Sequence, residues 1–131
     1  MINTLSRFFK QSTVLIVEDD YSSALLLREY ILQLGAKTII ANSYKEAKGA
    51  FKNIPDLKLV LLDIRLGDGC GLELAEYFRR NNSEVIIIAQ TALAIDEDIM
   101  RLKSGCFDSY LIKPITERQL FASIHEQIPN E

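Results

Sequence analysis

The chain has 131 residues, enough for one domain with a substantial core. Apolar residues make up 48% and charged residues 25%, and a net charge of -3 lacks the basic surplus expected of a nucleic-acid binder. Apolar stretches reach only about five residues, far short of the ~20 needed to span a membrane, and a single histidine excludes a multi-histidine metal centre.

Residues 1–12 contain Arg7-Phe8-Phe9-Lys10 but no long apolar core with a cleavage site, so they read as an N-terminal arm without a secretory signal. Thr13–Val17 is apolar almost throughout, as a central parallel strand should be, and runs into Glu18-Asp19-Asp20. Tyr21–Leu34 sets Ala24, Leu27, Ile31 and Leu34 at helical spacing, with Gly35 as the stop. Lys37–Ala41 is a short second strand. Ser43-Tyr44-Lys45-Glu46 is a capping-box signature that opens a helix to about Asn53. Pro55-Asp56 marks a turn before a third strand, Lys58–Leu62, which runs into Asp63. Gly67-Asp68-Gly69-Cys70-Gly71 reads as a loop and Leu72–Arg80 as a helix.

Glu84–Ala89 is a fourth strand that continues through Gln90 into Thr91, and Asp96–Lys103 a further helix. Phe107–Ile112 is the fifth strand, running into Lys113-Pro114, where the tight turn suits a cis bond. Thr116-Glu117-Arg118-Gln119 is a second capping box, opening a helix to about Gln127. Cys70 and Cys106 show no disulfide or metal pattern and read as reduced thiols of a cytoplasmic protein. Five βα units in a row predict an α/β domain over residues 13–128. The expected form is a flavodoxin-like, doubly wound, five-stranded parallel sheet with helices on both faces.

In such a sheet the carboxyl ends of the strands lie along one edge, where open α/β folds place their sites. Glu18, Asp19, Asp63, Thr91 and Lys113 would meet there. Carboxylates this close repel and need a counter-charge. A hard divalent cation suits all-oxygen donors, and Mg2+ typically takes one or two carboxylates, waters and phosphate oxygens. A carboxylate left partly free could attack phosphorus, and Asp63, aimed by an apolar strand, is the best placed. Lys113 could reach the acids and then pair with a phosphoryl oxygen. Thr91 could donate a hydrogen bond to one. Asp20 stands between a place in this cluster and a cap on the following helix.

Four motifs in order carry a resemblance: Val14–Asp20; Leu61–Leu66 with Gly69 and Gly71-Leu72; Ala89–Ala92; and Tyr110–Pro114. Together they resemble the receiver domain of bacterial two-component response regulators, over roughly Thr13 to Gln127. The resemblance implies that Asp63 accepts a phosphoryl group from a histidine kinase or a histidine phosphotransfer protein. It implies Mg2+ bound by Glu18, Asp19, Asp63 and the backbone carbonyl of Arg65. Thr91 and Tyr110 would be the switch pair, and Lys113 would contact the phosphoryl group. The expected output surface combines Asp96–Lys103, the fifth strand and the last helix, offered to a partner or a second copy of the chain. Neither direct nucleic-acid binding nor a membrane role is expected.

Three features depart from the family pattern. Gly67 stands where proline is frequent, Glu18 where many members have Asp, and the segment from Gly105 to Tyr110 is one residue longer than usual. Other readings remain. A pseudo-receiver would use the same fold as a binding module, with phosphorylation idle. A haloacid-dehalogenase-type hydrolase wants a second Asp two residues after its nucleophile, where Arg65 stands. A flavodoxin-like cofactor binder wants a phosphate loop after the first strand, where Glu18-Asp19-Asp20 would repel phosphate. With no further element read after Gln127, the chain is expected to be a stand-alone receiver or a piece of a larger regulator or hybrid kinase.

Overall fold

The computed structural model describes residues 1–92 and 106–129. In chain order the elements are α1 (Ile2–Phe9), β1 (Thr13–Val17), α2 (Tyr21–Leu32), β2 (Lys37–Ala41), α3 (Tyr44–Phe51), β3 (Leu57–Asp63), β4 (Arg65–Leu66), β5 (Gly69–Cys70), α4 (Gly71–Asn81), β6 (Ile86–Thr91), β7 (Ser109–Ile112) and α5 (Glu117–Gln127). Five strands form one parallel sheet in the order β2-β1-β3-β6-β7, and the short β4 and β5 pair antiparallel beside it. The chain therefore winds outward in both directions from β1 and β3, and the switch point lies between them.

Alternation along the strands divides the core in two. Val14, Ile16, Leu59, Leu61, Ile86 and Ile88 pack with α2 and α5 through Leu27, Ile31, Leu120 and Ile124. Leu15, Val17, Val60, Leu62, Ile87 and Ala89 pack with α3 and α4 through Ala47, Phe51, Leu74 and Phe78. Phe51 stacks on Phe78 at 4.4 Å between ring centroids, which locks the second layer. Among the described residues no helix is long and apolar enough to cross a membrane.

Several element ends differ from the sequence reading. The helix after β1 stops at Leu32, because Leu34 and Gly35 donate to Ile31 and Leu32 in a tightened last turn and Gly35 takes φ +79°. Leu34 stays fully buried, so its helical spacing was a packing signal. The helix expected to reach Asn53 ends at Phe51, with the Asn53 N–H turned back to Ala50. β6 begins at Ile86, where pairing with Leu59 starts, and runs to Thr91 because Ile112 pairs with it. β7 begins only at Ser109, since the Asp108 side chain takes the Ile87 N–H at 2.8 Å in place of a ladder bond.

The segment read as the loop Gly67–Gly71 is half of a hairpin. Arg65 pairs with Cys70 and Leu66 with Gly69, and the Leu66 side chain is buried. The Lys113–Pro114 bond is cis. Cys70 is exposed and Cys106 half-buried, and neither is in a disulfide. The helix expected over Asp96–Lys103 lies outside the described residues.

Residues 2–9, to which no element was assigned, form α1. Leu5 and Phe9 are fully buried in the α2–α5 layer, and Lys58 clamps the helix end by donating to the Phe8 carbonyl at 2.7 Å. Eight residues are too few to make a helix stable by themselves, so burial is what holds this one. Phe9→Ala is expected to lower unfolding free energy by about 3 kcal/mol in a denaturant titration. A loss under about 1 kcal/mol would mean that the helix adds little to the core.

Candidate phosphoryl site

At the carboxyl edge, β1 runs into Glu18 and β3 ends in Asp63, both continuing the sheet face that carries Ile16 and Leu61. Both acids are buried, at 1% and 6% exposure. Lys113, just beyond β7, donates to Glu18 Oε1 and to Asp63 Oδ2, the latter at 3.0 Å. Its position is set by a backbone bond from the Lys113 N–H to the Thr91 carbonyl at 2.7 Å. The second Asp63 oxygen, Oδ1, accepts the Arg65 N–H at 2.9 Å. Asp63 is thus gripped at both oxygens, by an ammonium on one side and a backbone amide on the other.

Asp19 is exposed, yet one carboxylate oxygen from each of Glu18, Asp19 and Asp63 lies within 4.8 Å of the others. Glu18 Oε2 is buried without a hydrogen-bond partner among the described residues. A buried carboxylate oxygen left unpaired is costly, and a cation removes the cost. An all-oxygen donor set with one orphaned oxygen fits Mg2+.

The electrostatics agree with a crowded acidic site. Burial, then the hydrogen bond with Asp63, pushes the Glu18 carboxyl up to about 7, with Lys113 opposing the shift. For Lys113, burial works against the charge, but the bond to Glu18 and the charge of Asp63 outweigh it, so the ammonium is held above its ordinary range.

Asp20 leaves the cluster. Its carboxylate accepts the Ser23 N–H at 2.9 Å and the Ser23 hydroxyl at 2.6 Å, so it is the cap of α2. Thr91 is buried at the end of β6 and continues the sheet face that carries Ala89. Tyr110, opposite Ala89 on β7, packs half-buried against that same layer, edge-on to Phe107 at 6.4 Å. The two residues named as a switch pair therefore share a sheet face on neighbouring strands, while the acids occupy the other.

Two nearby residues escaped the sequence reading. Gln90 continues the face of Glu18 and Asp63; its Nε2 is buried without a partner among the described residues, and it lines a cleft of about 390 Å³ with Leu26, Lys113 and Pro114. The alternation of β6 was the only available signal for it. Asp68, at the hairpin turn, accepts the N–H groups of Tyr44 and Lys45 at 2.7 and 3.1 Å. Nothing local in the sequence marks that pairing, which spans more than twenty residues.

The doubly wound order with an acidic pair and a lysine at the switch point defines a class of site, and comparison with known proteins gives the family. The response regulator receiver domain model matches residues 14–125. The polar-differentiation response regulator DivK of Brucella ovis is 33% identical over 115 residues, covering 86% of this chain and 92% of DivK. The regulatory protein LuxO of Vibrio vulnificus is 34% identical over 86% of this chain, which spans only 25% of LuxO. A CheY-like receiver domain from Methanospirillum hungatei superposes with a TM-score of 0.80 at 28% identity, covering 90% of this chain and 94% of that one. TrrA of Thermotoga maritima, solved in complex with Mg2+ and a beryllium fluoride, gives a TM-score of 0.80 at 26% identity, covering 90% and 100%. The chain belongs to the response regulator receiver domain family, the phosphorylatable switches of two-component signalling.

Proposed function

We propose that this chain is a Mg2+-dependent phosphorylation switch, taking a phosphoryl group from a histidine kinase or histidine phosphotransfer protein onto Asp63. The observation that carries the reading is the shared grip of Lys113 on Glu18 and Asp63, with the Asp19 carboxylate within reach. The switching unit would be residues 13–128, with α1 added at its amino end.

In the transfer, one Asp63 oxygen attacks phosphorus in line, the phosphorus–nitrogen bond of the donor imidazole breaks, and its electron pair stays on the ring nitrogen. Glu18, Asp19, Asp63 and the Arg65 carbonyl would hold Mg2+, which supplies positive charge against the phosphoryl oxygens. Lys113 already stands 3.0 Å from one Asp63 oxygen and would follow the charge onto the phosphoryl group. The Arg65 N–H keeps the carboxylate aimed. Thr91, at the adjacent strand end, would donate its hydroxyl to a phosphoryl oxygen. Tyr110 would turn inward beside it and change the surface around β7 and α5. That surface, together with the expected helix over Asp96–Lys103, is where a partner or a second copy would dock. Cytoplasmic placement follows from the kinase chemistry in this reading.

Beryllofluoride with Mg2+ mimics the phosphoryl group without chemistry. It is expected to shift backbone resonances of Thr91, Tyr110 and residues 117–127 as well as those around Asp63. Shifts confined to the neighbourhood of Asp63 would remove the switch and favour a pseudo-receiver, a binding module in which phosphorylation is idle.

A further inference from the structure

We propose that Asp68 is a positioning residue for the phosphoryl site, tying the hairpin that follows Asp63 to the amino end of α3 so that the Arg65 backbone stays aimed at the Asp63 carboxylate. The inference deepens the metal and phosphoryl reading above and rests on it for its consequence, not for its geometry.

The first turn of a helix has four N–H groups without helical partners. In α3 these belong to Ser43, Tyr44, Lys45 and Glu46, and the Ser43 hydroxyl accepts from Glu46 at 3.1 Å. The N–H groups of Tyr44 and Lys45 are taken by the two oxygens of Asp68, at 2.7 and 3.1 Å. These bonds hold the Asp68 carboxyl below its ordinary range, a sign that the ionised form makes the contact. Charge-assisted bonds at a helix amino end are among the stronger surface contacts.

The hairpin is pressed at both ends. At its tip, a Cβ on Gly69 would lie 2.6 Å from the Tyr44 ring. At its root, the Gly71 N–H donates to the Ile64 carbonyl at 2.8 Å, and a Cβ on Gly71 would lie 2.2 Å from the Asp63 carbonyl oxygen. Arg65 sits between, paired with Cys70 on the β4–β5 ladder and donating its N–H to Asp63 Oδ1 at 2.9 Å. The ladder is two residues per strand and cannot hold its own shape in water. Its outer anchors are the buried Leu66 and the Asp68 clamp. With Gly67 giving the turn no φ restraint, losing the clamp frees the tip, and the Arg65 amide and carbonyl move with it.

Three variants separate positioning from simple stability. Asp68→Ala removes the clamp, Asp68→Asn keeps an oxygen for one of the two N–H groups, and Ser43→Ala removes a cap bond of the same helix without touching the hairpin. Amide exchange at Arg65 is read by NMR in the metal-free proteins, at equal distance below each unfolding midpoint, and Mg2+ affinity by calorimetry. Asp68→Ala should speed Arg65 exchange and weaken Mg2+ binding, each by about tenfold, as loss of an outer support does in metal sites. Asp68→Asn should fall between parent and Asp68→Ala, and Ser43→Ala should match the parent in both. Arg65 exchange in Asp68→Ala no faster than in Ser43→Ala would overturn the proposal. If the parent takes up no Mg2+ at all, the metal reading falls, and the exchange comparison still decides the role of Asp68.

Discussion

Asp63→Asn is expected to abolish phosphoryl incorporation from acetyl phosphate and Mg2+, read as an added phosphoryl group by intact mass. The site leaves little room for a substitute. Glu18 is the only other buried acid among the described residues, and its Oε1 is engaged by Lys113. Asp19 is exposed and has no strand behind it to fix an attack angle. Asp63 alone ends a buried strand with each oxygen oriented by a separate donor. An asparagine keeps the shape but lacks the nucleophilic oxygen pair, and its amide N–H groups would face either Lys113 or the Arg65 N–H. The same change removes a carboxylate that holds the Glu18 pKa up, so Glu18 should titrate lower in the variant. Labelling of Asp63→Asn at the parental level would mean that another group accepts the phosphoryl.

Lys113→Ala should destabilise the fold in a pH-dependent way. Removing one partner from a buried ion cluster typically costs 3–5 kcal/mol; with a fifth of the Lys113 side chain exposed, about 2 kcal/mol is expected at pH 8. The sign of the pH effect follows from Glu18, whose carboxyl is raised from 4.5 to about 7, first by burial. A group raised in the fold contributes stability that is complete below its unfolded value and lost as pH rises through its folded value. The metal-free parent should therefore lose stability between about pH 4.5 and 7. Lys113 restrains that shift, so in Lys113→Ala the Glu18 pKa climbs further and the loss extends to higher pH. At pH 6 the protonated Glu18 no longer opposes Asp63, and the variant should sit closer to its parent than at pH 8. Urea titrations at the two pH values would test this, and an equal deficit at both would remove Glu18 as the source.

Much of the site is legible in the chain because its signals are local. Thr13–Val17 and Leu59–Leu62 are unbroken apolar runs, and a polar residue at the end of such a run lies at the sheet edge whatever the packing. Thr116 and Gln119 declare their reciprocal caps within four residues, and both bonds are present. The run of three acids after β1 is less legible. One of them caps α2, one is buried and one is exposed, and composition cannot sort them. α1 goes unread although Ile2, Leu5, Phe8 and Phe9 stand at helical spacing, because eight residues give too short a window for the period to stand out.

The sequence by itself determined the alternation of the five parallel strands with α2, α3, α4 and α5, the doubly wound class, and the presence of Glu18, Asp19, Asp63 and Lys113 at strand ends. These follow from periodicity and from the rule that unbroken apolar runs are buried. Only the tertiary structure decided which of those groups touch. Lys113 meets Glu18 across 95 positions of chain and Asp63 across 50, and Asp68 reaches Tyr44 across 24. Burial of α1, the hairpin after Asp63 and the raised Glu18 pKa belong to the same category. Each depends on what other segments remove from water or bring within hydrogen-bond reach, and a stretch of sequence carries no record of its distant neighbours.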